Sequence, residues 1–195
     1  MQSLSSQKTE QGVLIIVSAP SGCGKSTVVR RLMEKRENLR FSVSATTRKP
    51  RAGETDGVDY FFVSRKEFMR MVDDEEFLEH AEYVGNCYGT PRAPVERQLK
   101  EGFDVYLDID VQGAMQVKAI RPETLMIFLM PPSMEELERR LVLRGNNSPE
   151  EVRARLQAAE REISFRDRFD HIVVNDVVER AVDEISALID AQKKA

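Results

Sequence analysis

The stretch Ser18-Ala19-Pro20-Ser21-Gly22-Cys23-Gly24-Lys25-Ser26-Thr27, entered from the apolar run Val13 to Val17, constrains this chain more than any other. An unbroken apolar run suits a strand buried on both faces of a parallel sheet. The glycines flanking Cys23 let the backbone curl so that successive N–H groups point inward at phosphate oxygens, and a helix starting near Lys25 adds its positive end. Lys25 would then reach the β- and γ-phosphates of a nucleotide, and the Ser26 hydroxyl would hold Mg²⁺. Ala19 stands where the G-x-x-x-x-G-K-[ST] pattern has its first glycine, a change that a negative φ at Ala19 tolerates. The plainer alternative is a glycine-rich turn with an incidental lysine. The strand before it and the helical spacing of Val28, Val29, Leu32 and Met33 after it favour phosphate binding.

At 195 residues the chain is long enough for one substantial α/β core with an insertion or two. Hydrophobic residues make up 41% and charged ones 32%, and no apolar run approaches the roughly 20 residues of a membrane span, so a soluble globular protein is expected. The polar start, Met1 to Gln11, lacks the apolar centre of a signal peptide and reads as a disordered tail of a cytoplasmic protein. With 29 basic and 33 acidic side chains the net charge of -4 gives no electrostatic reason to expect nucleic acid. Phosphate binding must come from locally gathered arginines. Cys23 and Cys87 each lie in a candidate ligand segment, which argues against a disulfide between them. His80 and His171 are isolated, so no zinc site is expected.

Taken in order, Val13–Val17 is a strand and Lys25–Lys35 a helix, with a second short strand at Phe41–Ser44. Ala45 to Asp59 is polar, holds Pro50, Gly53 and Gly57, and reads as a working loop. Tyr60–Val63 is a strand, after which Ser64 and Glu67 have capping-box spacing for a helix to about Val72. Phe77–Val84 is a strand and Gly85-Asn86 a turn. Thr90-Pro91 supplies a cap and a first-turn proline for a helix ending near Gly102. Asp104–Asp110 is a buried strand, Val111–Ile120 a helix and Leu125–Met130 a strand closed by Pro131-Pro132. Ser133–Glu136 and Ser148–Glu151 repeat the capping-box spacing, predicting helices at Met134–Arg144 and Pro149–Arg166. His171–Asn175 is the last strand and Val178–Gln192 an amphipathic helix. Strands alternating with helices predict an α/β fold, a parallel sheet covered on both sides.

Three groups of residues can carry chemistry. Asp108 closes an apolar strand at its C-terminal end, where ligands collect on an open α/β sheet, and can hold Mg²⁺ beside Ser26. The segment Ser42 to Arg51, with Asp59-Tyr60, gathers Arg48, Arg51, hydroxyls and a tyrosine into a second phosphate pocket; a solvated basic loop is the bland alternative. Glu79, with Ser44 and Thr90, suits guanine: a carboxylate accepts from N1–H and the N2 amino group, and hydroxyls reach O6. Cys23 lies near Lys25 and a helix N-terminus, surroundings that favour thiolate, although an inert small residue is the plainer expectation.

These separated motifs, with Gly57-Val58-Asp59-Tyr60-Phe61, Gly85 to Thr90, Leu107 to Gly113, Arg144-Gly145 and Val173 to Asp176, resemble the guanylate kinases, which phosphorylate GMP with ATP. The resemblance implies a P-loop three-layer core with a central parallel sheet (12–43, 91–135, 168–195), a GMP-binding insertion (44–90) and a helical lid (136–167). It puts Ala19, Pro20, Ser21, Gly22, Cys23, Gly24, Lys25, Ser26, Thr27, Arg140, Arg144 and Asn175 on ATP. Ser44, Arg48, Arg51, Tyr60, Glu79, Tyr88, Thr90, Asp108 and Asp110 fall on GMP positions. Lys25, Arg48, Arg144 and Arg155 are the catalytic set, and Ser26 and Asp108 take Mg²⁺. The implied partners are ATP with GMP and dGMP, in purine nucleotide metabolism and GMP recycling, with no nucleic acid or membrane and with monomer and oligomer both open. Another nucleoside monophosphate kinase and a silent scaffolding module of the same fold are the rival readings.

Overall fold

The structure, a computed structural model, describes residues 11–143 and 148–194. The expected tail therefore lies outside the described residues apart from Gln11, as does Arg144. Five parallel strands form the main sheet in the order β2-β7-β1-β8-β9: β1 (Leu14–Ser18), β2 (Leu39–Phe41), β7 (Asp104–Leu107), β8 (Leu125–Met130) and β9 (His171–Val174). Every β1 residue is buried, as a strand covered on both faces requires. Ile15 and Val17 point to one side, into a core shared with α1 (Lys25–Lys35) and α7 (Val178–Gln192). Leu14 and Ile16 point to the other, against α3 (Arg92–Lys100) and α4 (Val111–Ile120). Each such side chain contributes about 1.5–3 kcal/mol relative to leaving it in water.

A second sheet, ordered β4-β3-β6-β5, holds β3 (Ala45–Thr46), β4 (Phe61–Phe62), β5 (Phe77–Tyr83) and β6 (Asn86–Pro91), with α2 (Arg65–Asp73) packed on it through Phe68. Only the β3–β4 pair is parallel. The strand expected at Phe41–Ser44 divides here. Ser42 N–H still bonds the Tyr106 carbonyl of the first sheet, whereas the Ser44 carbonyl already accepts from Phe61 N–H of the second. Those residues carry the chain across.

Two further expectations shift. The hairpin turn is Val84-Gly85 rather than Gly85-Asn86, both residues having positive φ, 48° and 74°, as a tight two-residue hairpin demands. Thr90 does not cap α3, because it lies within β6 and Pro91 takes the cap position with no side-chain bond. Helices α5 (Met134–Leu143) and α6 (Pro149–Ile163) pack together through Leu137, Leu141, Val152 and Ala159, and α6 opens on a complete Ser148/Glu151 capping box. Among the described residues, no helix is long and apolar enough to cross a membrane.

Candidate active site

The loop between β1 and α1 ends at Gly24, the helix cap, in the left-handed region at φ 95°. A side chain there would be strained, and its Cβ would lie 2.7 Å from the Asn175 amide. No side chain caps α1 and its first turn holds no acid, so its leading N–H groups keep their attraction for an anion. Ala19 keeps a negative φ, so the missing glycine leaves the loop unstrained. Residues Ala19 to Gly22 and Gly24 to Thr27 line a cavity of about 230 Å³.

The loop is held from beneath. Asn175 Nδ2 and Arg140 Nη1 donate to the Cys23 carbonyl at 2.7 and 3.3 Å, and Arg140 Nη2 donates to the Asn175 carbonyl at 3.1 Å. Both residues, expected on ATP, thus shape the loop's backbone. The Cys23 thiol points inward and donates to the Leu129 carbonyl at 3.4 Å. Burial pushes it up to about 12 despite nearby Arg140, so the inert reading of Cys23 prevails over the reactive one.

From α6, Arg155 Nη1 donates to the Ser21 hydroxyl at 3.2 Å and Glu162 accepts the Ser21 N–H at 3.3 Å. Two turns of one helix face therefore rest on the phosphate loop. Arg139 and Arg153 pair with Glu136 and Glu150 on their own helices, as surface charges do.

Lys25 Nζ meets Asp108 Oδ1 at 2.5 Å, and the Tyr106 hydroxyl donates to the same oxygen at 3.0 Å. Burial and Asp108 both raise the Tyr106 phenol, which keeps it a donor. Tyr106 and Asp108 lie two apart, on one side of the extended chain leaving β7. Lys25, Ser26 and Asp108 border one cavity of about 550 Å³. The Ser26 hydroxyl and Asp108 Oδ2 are hard oxygen donors of the kind Mg²⁺ takes, so the donor set fits that ion.

Asp108 also borders a second cavity, of about 270 Å³, together with Ser44, Tyr60, Glu79, Tyr88 and Asp110. Asp108 is the one residue that lines both cavities. Glu79 is 7% exposed, and the strand register shifts between Phe77 and Glu79, a bulge that re-aims the side chain. Thr90 stands opposite it and donates its hydroxyl to Oε1 at 2.6 Å. Thr90 thereby orients the carboxylate. Burial raises the Glu79 carboxyl above its ordinary value, Asp110 raises it further, and the bonds from Thr90 oppose them.

A Cβ on Gly113 would lie 2.9 Å from Glu79 Oε2, so a side chain there would press on the carboxylate and displace it. Asp110 caps α4 by accepting the Gly113 N–H at 2.9 Å. Gln116 bonds both the N–H and the carbonyl of His80 at 3.1 Å, tying β5 to α4.

Arg48 and Arg51 stand outside the lining of that cavity. Arg48 packs over Tyr60, 5.4 Å from the ring centroid, and is gripped by Glu54; Arg51 is exposed. Glu54, Tyr106, Gly113 and Glu162 complete the surroundings without having been singled out from sequence. Local signals exist for three of them: an acid three residues after Arg51, a tyrosine two before Asp108, and a glutamate seven after Arg155 on one helix face.

The chain is similar to known proteins over nearly its whole length. A family model described as guanylate kinase matches residues 11–192. A guanylate kinase of Thermus thermophilus is 53% identical over 187 residues, 96% of this chain and 83% of the relative. One of Clostridium perfringens is 48% identical over 186 residues, 95% of this chain and 86% of the relative. The crystal structure of guanylate kinase from Anaplasma phagocytophilum matches with a TM-score of 0.73 at 40% identity, covering 95% of this chain and 88% of that one. With the likeness running from residue 11 to 192 in sequence and through nearly the whole chain in fold, this chain belongs to the guanylate kinase family.

Proposed function

We propose that the chain transfers the γ-phosphoryl group of Mg·ATP to GMP, giving ADP and GDP and returning GMP to the nucleotide pool. The observation that carries this reading is Glu79: a buried carboxylate, fixed by Thr90, facing a cavity that shares Asp108 with the cavity lined by Lys25 and Ser26. Guanine offers N1–H and the N2 amino group as parallel donors to such a carboxylate, whereas adenine N1 is an acceptor. A wrong base leaves buried polar groups unpaired and is rejected for that reason. Ser44, Asp110, Tyr60 and Tyr88 border the same space, and Arg48, packed over Tyr60 outside that lining, would with Arg51 take the phosphate.

Phosphoryl transfer needs position and charge more than covalent help. A GMP phosphate oxygen, already ionised at neutral pH, attacks in line, so no general base is required. The backbone N–H groups of Gly22, Gly24, Lys25 and Ser26, at the end of the loop and the start of α1, would cradle the donor phosphates. The Lys25 ammonium has three donors, enough to keep Asp108 and still reach a phosphate oxygen. Ser26 and Asp108 would hold Mg²⁺, which neutralises charge on the transferred group when bound. Arg48, Arg155 and, by the resemblance, Arg144 spread the remaining charge, while the helices of 136–167 exclude water. Since the donor is ATP, this reading implies the cytoplasm.

An ADP-release assay with GMP, AMP, CMP and UMP tests it. Turnover with GMP alone is expected, and equal turnover with AMP would overturn the base assignment. Lys25→Ala should lower kcat by about 10²-fold or more, the usual effect of removing a preorganised charge partner.

A further inference from the structure

Glu54 has no part in the transfer as described, yet it is the most firmly anchored carboxylate of the arginine-bearing loop. Arg48 Nη1 and Nη2 donate to its two oxygens at 2.9 and 2.8 Å, and the Arg51 N–H donates to it at 2.7 Å. Glu54 N–H returns a bond to the Arg51 carbonyl at 3.1 Å, closing the turn. The pair is well sheltered for a loop, with side chains 15% and 19% exposed. Arg48 Nη1 also donates to the Lys49 carbonyl at 2.8 Å. The guanidinium packs over Tyr60 and Phe62, and Tyr60 in turn meets Tyr88 edge-on at 6.2 Å. Both tyrosines line the cavity assigned to GMP.

We propose that Glu54 is a positioning residue, gripping the Nη1/Nη2 edge of Arg48 so that its other edge is held ready for the phosphate of the acceptor nucleotide. The inference rests on the GMP kinase reading above. A guanidinium carries five N–H groups in one rigid plane. Glu54 and the Lys49 carbonyl take three of them. The Nε–H and the second N–H of Nη2 remain beyond those three, parallel on the other edge, in the arrangement that two phosphate oxygens accept, and the Tyr88 hydroxyl of the same cavity lies within bonding reach of this guanidinium. An arginine on a polar loop otherwise samples many rotamers, and fixing it before the ligand arrives removes that entropy loss from binding. The hold is constant near neutral pH: Arg48 first, then the Arg51 N–H, keep the Glu54 carboxyl down to about 2, so it stays ionised.

The opposite role is a competing carboxylate that must release Arg48 before phosphate binds, and a third is a loop brace with no bearing on ligand. A double-mutant cycle in GMP binding separates all three, using calorimetric dissociation constants for wild type, Glu54→Ala, Arg48→Ala and the double variant, with ATP binding and thermal unfolding alongside. Glu54→Ala alone is expected to weaken GMP about tenfold, with ATP binding unchanged, and to add nothing once Arg48 is alanine. Tighter GMP binding by Glu54→Ala would overturn the proposal in favour of competition. Equal losses in both Arg48 backgrounds would overturn it in favour of the brace. If Glu54→Ala does not fold, Glu54→Gln replaces it in the same cycle, since it keeps the shape and one acceptor, and the same two results decide. A wild-type chain that does not phosphorylate GMP defeats the underlying reading, and with it the proposal, before any variant is made.

Discussion

Asp104 and Glu79 are both buried carboxylates, at opposite ends of the molecule's working axis. Asp104 opens β7 at the end of the sheet remote from the site and is 0% exposed. Its Oδ1 accepts the Val13 N–H at 3.0 Å and pairs with Lys193 at 2.9 Å; its Oδ2 takes Asn38 at 2.9 Å and Arg36 at 3.3 Å. Every direction is answered by protein, and β1, β7, the end of α1 and the end of α7 are joined through it. Glu79 has the Thr90 hydroxyl, a neighbouring acid in Asp110, and no ion pair among the described residues. Burial alone therefore says nothing about function. What marks Glu79 is acceptor capacity left open inside a cavity, which is unfavourable unless a ligand fills it.

The contrast yields predictions of decreasing size. Asp104→Ala, by taking the partner of Lys193 and of the buried Val13 N–H and one of the two acidic partners of Arg36, should destabilise the fold by about 3–5 kcal/mol in denaturant unfolding, with GMP affinity of the folded fraction unchanged. Glu79→Gln should do the reverse: GMP weakens about 10- to 100-fold while stability at neutral pH holds or rises. The stability sign follows from the raised carboxyl. Between its unfolded and folded titrations the native state binds more protons, so ionising Glu79 works against the fold as pH rises, and glutamine removes that effect.

A pH series on the wild type sharpens the point. Guanine's donors need the carboxylate, so KM for GMP should climb as pH falls through the raised Glu79 titration, a climb absent from Glu79→Gln. Smallest is Gly113→Ala, whose methyl would press on Glu79 Oε2; a rise of a few-fold in KM for GMP is expected with ATP unaffected. Its stability should change little, since alanine's helix propensity gain of about 1 kcal/mol offsets the contact.

Local signals made part of this legible from the chain alone. Helices α1, α4 and α7 begin and end where hydrophobic spacing places them, and strand β8 ends at the prolines that follow it. The phosphate loop was readable because one continuous segment builds it. The guanine-side cavity was not, because it depends on register: the bulge at Phe77–Glu79, the Glu79–Thr90 pairing and the crossing at Ser42–Ser44 exist only once β5, β6 and β3 are aligned. The chemistry of guanine picks out Glu79, Ser44 and Thr90, whereas Tyr88 and Asp110 come only through the family resemblance. Thr90 shows the limit well, since its place before a proline reads as a helix cap, whereas its strand partner takes the hydroxyl instead.

The central claim is that Glu79 accepts both guanine donors, and the most direct test compares GMP with IMP, which keeps N1–H and lacks the 2-amino group. Dissociation constants of both nucleotides are measured for wild type and for Glu79→Gln, which has one acceptor in place of two. The wild type should prefer GMP about tenfold, and the preference should collapse in the variant. An undiminished preference for GMP without the Glu79 carboxylate would contradict the account.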